Sequence, residues 1–224
     1  MKKYFGICKK YSFIISAAAL ALYVLIEAAD SIIGAFRGGS LFDFGVVFNI
    51  ALLAAAALLF FRNVKFASIP FGVAAIVNAV WIVTYTINTI VALLNFGLRF
   101  TEGYPLGFFN VLFTYANTAL GMLSMLLLGA FCVLVVLKKL PKLTKLWYIP
   151  AAVQAITFVL GLFESIFTLV KLLFGPYGGF WQKLGYVYDF GADTLIGVIL
   201  LVAVAFSALA VHTYTLLPEY GKKD

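Results

Sequence analysis

Six long apolar runs take up most of this chain, and its few charges are sorted around them. The runs cover residues 12–36, 42–61, 66–96, 107–137, 146–174 and 187–217. A helix rises about 1.5 Å per residue, so about 20 apolar residues cross a hydrocarbon core about 30 Å thick. The third, fourth and sixth runs exceed a perpendicular span and should tilt or project beyond the bilayer. With 224 residues, 64% hydrophobic and 11% charged, the chain lacks the polar surface of a soluble domain, where about a quarter of residues are charged. These features predict an all-α polytopic membrane protein. The whole chain, 1–224, is expected to form a single membrane domain of six transmembrane helices, with the lipid bilayer as its solvent.

The net charge of +7 suggests nucleic acid only until its distribution is considered. Lys2, Lys3, Lys9 and Lys10 precede helix 1, Arg62 and Lys65 separate helices 2 and 3, and Lys138, Lys139, Lys142 and Lys145 separate helices 4 and 5. Lys222 and Lys223 follow helix 6, which leaves only Arg37, Arg99, Lys171 and Lys183 for the other side. Basic residues accumulate on cytoplasmic loops, so both termini are expected in the cytoplasm. The charge reads as a topology signal first and an anionic-lipid contact second, with no nucleic-acid partner. Short loops, size and the lysine-rich N-terminus suggest a bacterial cytoplasmic membrane. The basic stretch before SFIISAAALALYVLI imitates a secretory signal. Removing helix 1 spoils the charge balance, however, so it is expected to be retained.

The runs pair as helices 1 with 2, 3 with 4 and 5 with 6, and the odd members share local sequence. KFASIPFGVAAI opens helix 3 and KLWYIPAAVQAI opens helix 5, matching Lys65 with Lys145 and Pro70 with Pro150. Both prolines are expected in a first helical turn, where the missing N–H leaves no bond unmade. Asp30-Ser31-Ile32 in helix 1 parallels Glu164-Ser165-Ile166 in helix 5, and LFDFG at 41–45 parallels VYDFG at 187–191. Three divergent copies of a helical hairpin are expected, an internal repeat common in transporters but also found in plain scaffolds. GPYGGFWQKLGYVYD, after helix 5, reads as an interfacial aromatic segment outside the helices.

Positions spaced alternately by three and four share a helix face. Helix 5 carries Gln154, Thr157, Gly161, Glu164, Thr168 and Lys171 at that spacing. Helix 3 carries Asn78, Trp81, Tyr85, Asn88, Ala92 and Asn95; helix 4 carries Asn110, Thr114, Asn117, Gly121 and Ser124; helix 1 carries Tyr23, Glu27, Asp30 and Gly34. Amides, hydroxyls and small residues on such stripes ordinarily pack helices together. Carboxylates are more expensive, at about 2.5 to 3.5 kcal/mol mid-membrane, and mark candidate sites. With odd helices running outward, Glu27, Asp30 and Glu164 fall about 60 to 75% of the way to the outer face, by helix rise. Asn117 and Asp193 share that half, with Asp43 and Asp189 at the rim, while Asn78, Gln154 and His212 lie inward. Glu27, Asp30, Glu164 and Asp193 are the candidate ligand-binding residues, with Asn88, Asn117 and Thr168 in support. They line either a wet pocket that attracts a cation or polyhydroxylated solute, or a neutral cluster that shares protons.

Catalytic signatures are lacking: there is no HExxH, GxSxG, Walker A or GxGxxG, and His212 is the single histidine. Cys8 and Cys132 form no Cys/His cluster. No enzyme activity, cofactor or metal is therefore expected. Six helices, short loops and cytoplasmic termini are similar in layout to the vitamin-capturing subunits of energy-coupling-factor transporters, and Ala17 with Ala21 gives helix 1 a small-xxx-small face. The similarity is one of layout and carries no residue roles. The expected function is binding or translocation of a small solute or cation through an outward-facing acidic pocket. The alternative is a non-catalytic subunit that recruits a membrane protein partner through its helix faces.

Overall fold

In an apolar solvent a chain segment satisfies its backbone by bonding N–H to C=O within itself, which selects helices. The computed structural model describes residues 2–36, 44–99, 105–137, 145–175 and 179–216, with side chains described over 10–29, 45–94, 112–137, 145–175 and 179–216. Those residues form six helices: α1 (Lys2–Phe36), α2 (Phe44–Phe60), α3 (Val64–Arg99), α4 (Pro105–Val136), α5 (Tyr148–Phe174) and α6 (Phe180–Tyr214). Five carry stretches long and apolar enough to cross a membrane, in α1, α3, α4, α5 and α6. The 17 residues of α2 are as apolar but shorter, about 26 Å at the helical rise.

The helices form a ring in chain order. Each packs against its sequence neighbours, α6 returns to α1, and α4 touches α6 across the interior. This arrangement places α2 beside α3 as it places α1 beside α2, so adjacency does not single out three hairpins. Buried apolar side chains concentrate toward one end, in residues 13–24 of α1, 48–59 of α2, 64–77 of α3, 125–135 of α4 and 203–211 of α6. Ser16 of α1 meets Ser207 of α6 there, with their hydroxyls 2.6 Å apart. Ala17 is buried in this core and Ala21 packs against it, so the small-residue face of α1 is used within the chain. Toward the opposite end, no described residue of α4 before Ser124 or of α6 before Ile199 is buried.

Two helix starts differ from the sequence expectation for identifiable reasons. Instead of remaining loop to 187, α6 begins at Phe180, after Gly179. Lys183, in its first turn, donates from Nζ to the Leu173 carbonyl at 2.7 Å. It thereby satisfies one of the terminal carbonyls that α5 leaves unpaired. Meanwhile α3 begins at Val64, which makes Pro70 its seventh residue, whereas Pro150 is the third residue of α5. The Asn63 side chain accepts from the Phe66 N–H at 3.4 Å and caps the added turn. Pro70 consequently sits inside the helix and removes the N–H that Phe66 O would accept. The two matched prolines therefore occupy different helical positions.

Candidate functional site

The α4–α5 interface is a polar seam whose rungs repeat with helical spacing. Thr114 Oγ1 donates to Glu164 Oε1 at 2.7 Å, and Asn117 Nδ2 donates to Oε2 at 3.4 Å. One turn along, a Cβ at Gly161 would lie 3.2 Å from Asn117 Nδ2. A Cβ at Gly121 would meet Thr157 Cγ2 at 3.4 Å. Finally Ser124 Oγ lies 2.7 Å from the Gly121 carbonyl and within bonding distance of Gln154 Oε1; its single proton serves one of them at a time. Residue numbers rise along α4 as they fall along α5, so the helices are antiparallel and each stripe finds its complement. Glycine at 161 lets Asn117 come close enough to reach the carboxylate.

A second polar layer backs the first. On the α3 side of α4, Tyr85 donates to Thr118 at 3.5 Å, and the Thr86 and Tyr115 hydroxyls lie 3.0 Å apart. The Tyr85 and Tyr115 rings stack with centroids 5.7 Å apart. Thr114, Tyr115, Asn117 and Thr118 thus tie α4 to both neighbours at one level of the bundle. Thr86, Tyr115 and Thr118 were not on the stripes predicted from spacing. The available signal was the hydroxyl pairing itself, since Thr and Tyr one turn apart on adjoining helices have few other partners in lipid.

Glu164 holds the centre of this arrangement and is partly buried. A carboxylate has about four lone-pair sites, and the two donors occupy two of them. Asn117 Oδ1 is buried and has no hydrogen-bond partner. Together these atoms form a patch rich in acceptors and short of donors. It suits a group that brings N–H, O–H or positive charge.

Apart from Asn117, none of the other described candidates hydrogen-bonds to Glu164. Glu27 is partly buried on α1 and accepts a hydrogen bond from Tyr23, one turn earlier. Its helix packs against α2 and α6, whereas Glu164 stands on α5, between α4 and α6. Asp193 is exposed on α6, with Asp189 close enough one turn earlier to repel it. Asn88 on α3 and Thr168 on α5 are exposed. The Asp30 side chain, and Asp43 as a whole, lie outside the described residues. Asn78 turns its amide back onto the Ala74 carbonyl at 2.8 Å. At the opposite end of the bundle, His212 stacks on Trp147 with ring centroids 5.8 Å apart. Among the described residues, no three His, Cys, Asp or Glu side chains gather as a metal would require. Comparison with protein-family models, with curated proteins and with solved structures finds no match to this chain.

Proposed function

We propose that this chain is a six-span protein of a bacterial cytoplasmic membrane that binds or translocates a small cationic or polyhydroxylated solute at the Glu164 seam. In this reading α2 is the sixth span, both termini are cytoplasmic, the helices descend from three hairpins, and the chain carries out no catalysis. The observation that carries it is the acceptor patch, in which the Glu164 carboxylate stands beside the buried, unpartnered Asn117 Oδ1. An unsatisfied buried acceptor costs about 1 to 3 kcal/mol, and a donor-bearing solute removes that cost. The sparse burial around this end supports access from outside. Glu27, Asp30 and Asp193 then act around the entrance, drawing in positive charge, with Asn88 and Thr168 as polar lining.

The test is thermal melting of the detergent-purified protein beside Glu164→Gln, against cations, polyamines, vitamins and sugars. A solute at about 100 times its Kd stabilises by about 2.7 kcal/mol. The expected result is a rise in Tm with one donor-bearing class, absent in Glu164→Gln. If no solute raises Tm and Glu164→Gln melts at or above wild type, the seam is a packing device. The chain is then read as a scaffold subunit that recruits a membrane partner.

A further inference from the structure

On the outside of the ring, α2 and α3 enclose an open groove of about 750 Å³. Its walls are apolar, with Val47, Ile50, Ala54 and Leu58 on one side and Phe66 and Val73 on the other. It covers residues 47–58 of α2, and Asn63 of the turn with residues 66–73 of α3, about 15 to 17 Å along each wall at the helical rise. That length is half of a hydrocarbon core about 30 Å thick, the depth of one leaflet. A partner transmembrane helix would run the full thickness, whereas this groove stops at a turn. The occupant it fits is an acyl chain.

The turn supplies the other half of a lipid site. The N–H of Asn63 bonds to the Leu58 carbonyl and that of Arg62 to the Leu59 carbonyl, both at 2.8 Å, which closes α2 in a Schellman motif. Its left-handed position, usually glycine, is held by Arg62 at φ 58°. Backbone geometry alone favours glycine there, so the arginine has to be explained by its side chain. Arg62 and Lys65 are both exposed and flank Asn63, the groove's polar end. Two exposed basic residues flanking the polar end of an acyl-length trough match the charge pattern of an anionic headgroup with its tail.

The geometry points to a binding site for one anionic phospholipid, its headgroup on Arg62 and Lys65 and one acyl chain between α2 and α3. The inference rests on the membrane reading and is independent of the Glu164 seam.

Native mass spectrometry of the full-length protein, titrated with phosphatidylglycerol or phosphatidylcholine, tests it. The first phosphatidylglycerol should bind at about tenfold lower lipid concentration than the first phosphatidylcholine. Arg62→Gly with Lys65→Gln should erase that preference while the turn stays formed, because glycine takes positive φ without strain. Ala54→Phe, which fills the groove, should weaken the first binding event for both lipids. The site is refuted if wild type shows no preference, if the charge variant keeps it, or if groove filling changes nothing. It is also refuted if wild type is a dimer that Ala54→Phe splits, since a second copy would then occupy the groove.

Discussion

Glu164 illustrates how much one partly buried acid depends on its immediate neighbours. Its shorter contact, from Thr114 at 2.7 Å, is the one to remove first. Thr114→Val keeps the shape and deletes the donor, so it should destabilise by about 0.6 to 1.7 kcal/mol, the average-to-maximum range for membrane hydrogen bonds. Denaturant titration in mixed micelles measures this. Gly161→Ala acts differently, because its methyl would crowd Asn117 Nδ2 at 3.2 Å. Alanine gains about 0.8 to 1.0 kcal/mol of helix propensity, while the strained Asn117–Glu164 contact loses about 0.6. Stability should barely change while the solute-induced rise in Tm falls. An unchanged rise would remove Asn117 from the site. Glu164, Thr114 and Asn117 are legible in the sequence because three-and-four spacing fixes a face. For Asp193 the sequence supplies only a depth in the membrane, not a direction around the helix. Its azimuth on α6 leaves it exposed.

At the scale of elements, helix existence was legible because apolar length determines it, and the partnering of faces was not. Nothing in the stripe of α4 says that its Thr114 side meets α5 while its Tyr115 side meets α3; that choice follows from how the ring closes. The start of α6 was hidden for a similar reason, since the glycines and proline of GPYGG read as loop and Lys183 finds its acceptor only once α5 is in place. Glycines separate the two kinds of helix contact. A Cβ at Gly129 would sit 2.3 Å from the Phe71 carbonyl and 2.5 Å from Ala75 Cβ, so α3 and α4 touch backbone to backbone there. Gly129→Ala must part them and should cost about 1 to 3 kcal/mol, the usual range for overpacking. At Gly121 the same change makes an ordinary 3.4 Å contact and should be neutral or stabilising by up to about 1 kcal/mol. Parallel melts of the two variants test this pair, and equal losses would contradict the close α3–α4 approach.

For the molecule as a whole, two independent polarities coincide. The apolar core gathers where α1 begins, α3 begins and α2, α4 and α6 end, and Arg62, Lys65 and Lys145 stand at that same end. Burial is a matter of packing, whereas basic charge is a matter of orientation during insertion, so neither requires the other. In the orientation proposed above, that agreement describes a bundle sealed on the cytoplasmic side, with the Glu164 level toward the outer side. Orientation is the step on which this depends, and two cysteine probes decide it. At Gly179 an added Cβ meets nothing within 4 Å, so Gly179→Cys places a thiol between α5 and α6 without strain. Arg62→Cys places one at the opposite end, accepting the left-handed backbone that Arg62 already tolerates. In a Cys8→Ser background, with Cys132 buried, an impermeant maleimide added to intact cells should label residue 179 and spare residue 62 until the membrane is opened. The reverse pattern would put Glu164 on the cytoplasmic half. The seam would then face the cell interior, and a solute captured there would have to come from the cytoplasm.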